Sequence, residues 1–238
     1  MRIALLTYST RPRGGVVHTL ALAEALAALG ATVDVWSLAR GGDAGFFRPV
    51  DGRVGLRLVP FPEVEGEAVG ERIVRSIDVL GAAFDPSEYD VVHAQDCISA
   101  NAVPQCVRTV HHLDTFSTPE LVACHERAIV RPYAHVCVSA AVATELRDGW
   151  GIAPRVIPNG VDYARFAAAS EDVSARQAWA DRLGRPYVLA VGGIEPRKGT
   201  LDLMAAMATV NAVRPDLALV IAGGETLFDY RDYRASVL

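Results

Sequence analysis

A chain of 238 residues, 51% of them hydrophobic, has the material for one large or two small domains with a substantial core. A formal net charge of −5 without a Lys/Arg cluster excludes a general nucleic-acid-binding face, and no apolar run approaches the ~18 residues of a membrane span. The opening apolar run is interrupted by Thr7 and followed by a polar loop, unlike a secretory signal. Cys97, Cys106, Cys124 and Cys137 lack C-x-x-C spacing and read as reduced thiols of a cytoplasmic protein, not as disulfides or zinc ligands.

Arg2 to Tyr8 reads as a buried strand, Ser9 to Gly15 (STRPRGG) as a loop, and Val16 to Leu29 as a helix. Gly30 is placed to cap that helix before the strand Thr32 to Ser37. Gly14 and Gly15 permit a tight turn and let the backbone approach a ligand, two duties that do not exclude each other. His18, one turn into the helix, is expected to face solvent more readily than a cleft. Val54 to Pro60 predicts a third strand, and Ile73, Ile77 and Leu80 mark one face of a helix. Tyr89 to Asp96 and Val107 to Asp114 are strands that end in polar groups: His93, Gln95 and Asp96 on one, His111, His112 and Asp114 on the other. Open α/β sheets bind ligands at such carboxyl ends. Adjacent strand residues face opposite ways, so only one of His111 and His112 faces a cleft. H-H-x-D lacks third and fourth ligands at useful spacing for a metal, and purely structural bonding of a buried histidine remains an alternative. Helices are predicted over Pro119 to Val130 and Ala140 to Trp150, the second capped by Ser139, with strands at Ala134 to Val138 and Pro154 to Pro158. Ser139 and the Asn159-Gly160 turn have cap and turn duties and are also placed to face a cleft.

Beyond Ala164 to Arg185, rich in alanine and charge, the opening design recurs. Tyr187 to Val191 is a strand, Glu195-Pro196-Arg197-Lys198-Gly199 a loop, and Thr200 the expected N-cap of a helix with Asp202 in its first turn. Leu203, Met204, Met207 and Val210 form its expected buried stripe, and Leu217 to Ala222 is the next strand, ending in Gly223-Gly224. Free amides at a helix N-terminus beside Arg197 and Lys198 make a seat for phosphate; a solvated turn is the plainer alternative. Neither glycine loop is the dinucleotide fingerprint G-x-G-x-x-G. Two phosphate-friendly βα turns predict two nucleotide-fold halves: an N-terminal domain over 1–162, a linker over 163–185 and the start of a second domain over 186–238.

In this order and spacing the motifs are specific. Gly14-Gly15 with its helix, Asp90-Val91-Val92-His93, Thr109-Val110-His111, Val138-Ser139, Val156 to Asp162 and Glu195 to Gly199 together resemble the retaining glycosyltransferases of family four, which have the GT-B fold. The resemblance implies an α/β architecture, a Rossmann-like parallel-sheet domain for the acceptor followed by the opening βαβ unit of a second, donor-binding one. It implies transfer of a sugar from a nucleotide-diphosphate donor, with retention, to an unknown acceptor. Lys198 matches the diphosphate-binding lysine, Gly15 the loop that approaches the donor phosphate, and His111 the strand-end histidine at the reaction centre. Gly14 and Arg197 join the diphosphate seat; His18, His93, Asp96, His112 and Asp114 are further sugar or acceptor contacts. No metal or other cofactor is expected, since Lys198 and helix amides neutralise the leaving group.

The chain departs from the family in two places. Gly193 stands where an Arg is usual, leaving Arg197 to compensate, and the acidic E-x7-E segment expected after Gly224 is missing. An inactive fragment is therefore expected, with a non-catalytic nucleotide-binding or assembly module as the alternative reading and a Rossmann oxidoreductase as a remote one. Peripheral membrane contact is compatible with the sequence; oligomeric state is not encoded legibly.

Overall fold

A strand buried on both faces must be apolar throughout, and its side chains divide between two cores with a period of two. Arg2–Leu6 (β1) does this: Ile3 and Leu5 enter one core, Ala4 and Leu6 the other. In the computed structural model, which describes residues 1–223 and 231–237, β1 is followed by α1 (Gly14–Ala28), β2 (Thr32–Arg40), β3 (Val54–Phe61), α2 (Val69–Ala83), β4 (Val91–Ala94), α3 (Cys97–Asn101), β5 (Val107–Val110), α4 (Pro119–Val130), β6 (Ala134–Cys137), α5 (Ala140–Trp150) and β7 (Arg155–Val156). These belong to a first unit, Met1–Gly160. The second, from Val161 onward, holds α6 (Tyr163–Glu171), α7 (Val173–Leu183), β8 (Tyr187–Val191), α8 (Thr200–Asn211), β9 (Ala218–Ala222) and α9 (Arg231–Val237).

In the first unit all seven strands are parallel, in the order β3-β2-β1-β4-β5-β6-β7. The order reverses between β1 and β4, which fixes a topological switch point at their carboxyl ends. Leu20, Ala23 and Ala27 of α1 pack on Ile3, Leu5, Val33 and Val35. Leu80 of α2, Ala100 of α3 and Ala128 of α4 pack on Ala4, Leu6, Val92 and Ala94 across the sheet. Val110, Ile129, Cys137, Val142 and Leu146 form a third core under α4 and α5. The Gly-rich segment before β3 is tied down by Arg48, whose guanidinium donates both ways to Glu24 on α1.

The second unit contains a two-stranded parallel sheet, β8-β9. Its close approach is set by Gly223, where a Cβ would stand 1.7 Å from the Gly192 carbonyl oxygen, so no side chain fits there. Several expectations are corrected. Helix α1 starts at Gly14, with neither glycine at positive φ. The N-cap of α8 is Gly199 in the left-handed region (φ +61), because the 3₁₀ turn Pro196–Lys198 needs that reversal; Thr200 is the first helical residue. Of the expected stripe on α8, Met207 is buried, Leu203 and Val210 are half-buried, and Met204 is exposed. Residues 163–185, expected as a linker, carry α6 and α7, capped by Asp162 and Asp172 side chains on the amides of Arg165 and Ala175. Gly224 lies outside the described residues.

Two helical glycines separate packing from propensity. A Cβ on Gly81 would stand 2.8 Å from the Ala102 carbonyl oxygen, whereas one on Gly149 meets nothing within 4 Å. Gly81→Ala should therefore destabilise by about 1–3 kcal/mol through overpacking, while Gly149→Ala should be stabilising by about 0.5–1 kcal/mol. Urea unfolding of the two variants checks this; equal midpoints would mean that α2 gives way freely.

Candidate active site

Short strands deliver their next residues to the sheet's carboxyl edge. Past β5 comes His111, past β4 Gln95, and α1 carries Gly15 and His18 over the same face. The structure brings these four together. His111 Nε2 lies 3.2 Å from Gln95 Oε1, and the His111 and His18 rings meet edge to face with centroids 4.9 Å apart. A methyl added to Gly15 would sit 3.7 Å from His111 Cδ2, so the backbone of the first helical turn lies against the imidazole. Gln95 Oε1 only accepts hydrogen bonds. Neutral His111 therefore donates through Nε2–H and keeps its lone pair on Nδ1.

Below this layer His93 Nε2 lies 2.7 Å from Thr109 Oγ1. Burial, reinforced by the charge of His18 and of Arg108, lowers His93 to about 4. Burial likewise lowers His111 to about 3, with His18, Arg108, His112 and His93 acting in the same direction. His18 is lowered by burial, opposed by a hydrogen bond with Asn159. The cluster is thus neutral at physiological pH and offers hydrogen bonding rather than charge. The expected solvent orientation of His18 is corrected: it is half-buried, held between His111 and Asn159, because its position on α1 follows Gly15 onto the strand ends.

The other expected contacts are placed differently. Asp96 spends its carboxylate on backbone amides, accepting from Tyr8 N–H at 2.9 Å and Ser99 N–H at 2.8 Å. It clasps β1 to the start of α3, and burial raises its pKa against those bonds. His112 Nε2 lies 2.7 Å from Oδ2 of Asp114, whose side chain is largely buried. Ser139 accepts from Val142 N–H as the cap of α5. In the second unit Lys198 is exposed and folds back so that its Cε lies 3.5 Å from where a Cβ on Gly192 would be; the ammonium is thereby held at the carboxyl end of β8 beside the start of α8. The side chain of Arg197 lies outside the described residues. Among the described residues no group of three or more His, Cys, Asp or Glu is arranged to hold a metal ion, and no helix is long and apolar enough to cross a membrane.

Sequence reasoning missed Gln95 as a partner of His111, and Arg108, which is buried with Nη1 donating to the Thr109 carbonyl at 2.8 Å. A buried arginine in a parallel strand was the available signal, since such a residue rarely enters a core without a purpose.

The arrangement, strand order and paired βα turns define a GT-B architecture, and solved structures agree in fold. The crystal structure of Anabaena Alr3699/HepE in complex with UDP and glucose aligns with all of this chain and 64% of its own length (TM-score 0.63, 18% identity). The sucrose-phosphate synthase of Thermosynechococcus elongatus aligns with 95% of this chain and 63% of its own (TM-score 0.63, 18% identity). The chain belongs to Glycosyltransferase Family 4, whose family model matches residues 12–165. Its relatives include the phosphatidyl-myo-inositol mannosyltransferases of Propionibacterium freudenreichii, 32% identical over 158 residues, and of Mycolicibacterium smegmatis, 29% identical over 241. These matches take in 60% and 94% of this chain, and the chain spans 39% and 59% of the two relatives' lengths.

The neutral histidines make stability depend on pH with a definite sign. A histidine whose folded pKa is depressed leaves the unfolded chain holding more protons between the two pKa values, so stability is full above the unfolded value near 6.5 and is lost as pH falls below it. His111 and His93 should each contribute up to about 1.4 kcal/mol per pH unit of loss below that point. Asp96, with its raised pKa, acts in the opposite sense but equally in wild type and variants. Urea unfolding from pH 7 to pH 4.5 should therefore fall more steeply for wild type than for His111→Gln. Parallel profiles would show that His111 takes up its proton as readily in the folded protein as in the unfolded chain.

Proposed function

We propose that this chain serves the transfer of a sugar from a nucleotide-diphosphate donor to an acceptor, with retention at the anomeric carbon. The observation that carries the reading is the packing of His111 against Gly15 and His18 at the switch point of the sheet. Family membership supports it, as do structural neighbours whose crystals contain UDP-glucose or UDP with glucose. In this reading His111 is the catalytic residue of the first unit. Its Nδ1 lone pair accepts a hydrogen bond from a hydroxyl of the donor sugar, and Gln95 fixes the tautomer that leaves that lone pair free. Gly14 and Gly15 bring unbonded amides of the first turn of α1 toward a donor phosphate, in a turn without an acidic residue.

The leaving diphosphate gains charge as the glycosidic bond breaks. The ammonium of Lys198, with amides at the start of α8 other than that of Leu201, which donates to Tyr233 Oη, stabilises that charge more in the transition state than in the ground state, which is where binding raises the rate. No step of this account calls for a metal ion. The engaged side chains of His93 and Asp96 hold the strand ends in place, while His18 and the paired His112 and Asp114 are read as contacts for sugar or acceptor hydroxyls.

Saturation-transfer NMR of the 238-residue chain with UDP-, GDP- and ADP-sugars, against NAD as a control, tests the donor class. Lys198→Ala should weaken nucleotide-sugar binding by about 1.5–3 kcal/mol, the contribution of a hydrogen bond to a charged group, and leave the unfolding midpoint unchanged because the side chain is exposed. Undiminished donor binding in that variant removes Lys198 from the site, and preferential binding of NAD overturns the transferase reading.

A further inference from the structure

Arginines of the first unit fall into two groups. Arg48, Arg53, Arg57 and Arg75 each have a carboxylate within ion-pair distance, in Glu24, Asp51, Asp34 and Glu67. Arg13, at the N-cap of α1, and Arg40, the last residue of β2, have none among the described residues, although both are half-buried and the Nε of each is buried without a hydrogen-bond partner. Arg40 is nonetheless held in one pose. Its guanidinium lies over the Tyr8 ring at 5.3 Å and over the Phe61 ring at 5.4 Å, and Nη2 donates to Ser76 Oγ at 3.3 Å. Arg72, half-buried on α2, and Arg13 both lie close enough to repel the Arg40 charge.

The acids whose charge reaches Arg40 are already engaged: Glu67 is chelated by Arg75, and Asp96 is bonded to the amides of Tyr8 and Ser99. Taking a guanidinium out of water without an anion is costly, and like charges gathered at a sheet's carboxyl edge add to that cost. A planar fork fixed by stacking is also the geometry that grips a phosphate through paired N–H donors.

We propose that Arg40, stacked on Tyr8, together with Arg13 and Arg72 beside it, forms a recognition site for a phosphate group carried by the acceptor. The word acceptor rests on the transferase reading above; the anion site rests on the geometry of the arginines. The phosphate belongs either to a soluble phosphorylated compound or to a lipid headgroup, and the two sources present the same oxygens to the same forks.

The test is calorimetric titration of the 238-residue chain carrying Lys198→Ala, so that this cation of the diphosphate seat contributes nothing. One arm uses glycerol 3-phosphate with glycerol as the uncharged control; the other uses phosphatidylglycerol vesicles against phosphatidylcholine vesicles. Binding in either arm is expected to weaken about tenfold or more in Arg13→Gln and in Arg40→Gln and to be unchanged in Arg53→Gln. Binding confined to the soluble arm assigns a free phosphorylated acceptor, and binding confined to the vesicles assigns a lipid. Arg13→Gln carries the test should Arg40→Gln fail to fold, since no hydrogen bond or ion pair of the Arg13 guanidinium is present among the described residues. Absence of binding in both arms, or binding undiminished in both variants, overturns the proposal. UDP-glucose binding, measured separately with Lys198 intact, reports on the donor reading alone.

Discussion

Desolvation at the carboxyl ends of β4 and β5 is the constraint on which the first unit's chemistry depends. Parallel strands buried on both faces cannot carry polar residues until they end, so His93, Gln95, Thr109 and His111 gather at one edge. Covering that edge with α1 excludes water and keeps the imidazoles neutral, the condition under which three of them can pack together without repulsion. Were His111 charged, the buried cation Arg108 would repel it. The neutral cluster and the buried arginine beneath it are therefore one arrangement, stable only while the edge stays dry.

The elements most legible in the sequence were those with both a period and a punctuation mark. Pro119–Val130 and Ala140–Trp150 begin at Pro or after a Ser cap, and Tyr187–Val191 is closed by a glycine pair; all three have the expected bounds. Strand ends were overdrawn, as at Tyr89 to Asp96 against the observed Val91–Ala94, because alternation continues after the backbone has left the sheet. The short helix α3 was hidden for the same reason: its cap, Asp96, also reads as a strand's polar end. Helices α6 and α7 bury no residue, so they present no apolar stripe from which a period can be read.

At the site, strand alternation predicts opposite facing for His111 and His112; both lie past the end of β5, and the structure gives them separate partners in Gln95 and Asp114. The pairing of Gln95 with His111 joins residues 16 apart in the chain and is set by the β4–β5 register, a tertiary quantity that local spacing does not specify. His18 illustrates the limit in reverse. Helical position fixes its angle relative to Gly15, but which side of α1 meets the strand ends depends on how the helix lies on the sheet.

The two βα turns, alike in sequence, are built differently, and the difference divides their labour. Helix α1 opens directly from an extended Arg13, with no side-chain cap and no acid in its first turn, so its amides present the undiminished positive end of the helix dipole. Helix α8 is reached through a 3₁₀ turn and a left-handed Gly199, and it carries Asp202 in its first turn. That acid favours the helix but opposes an incoming anion. An anion at the second turn thus needs a cation to offset Asp202, and Lys198, folded over Gly192 at the end of β8, is placed to supply it. The glycine at 192 is called for by its backbone, at φ +142, while the lysine's aliphatic stem would meet an added Cβ there at an ordinary 3.5 Å.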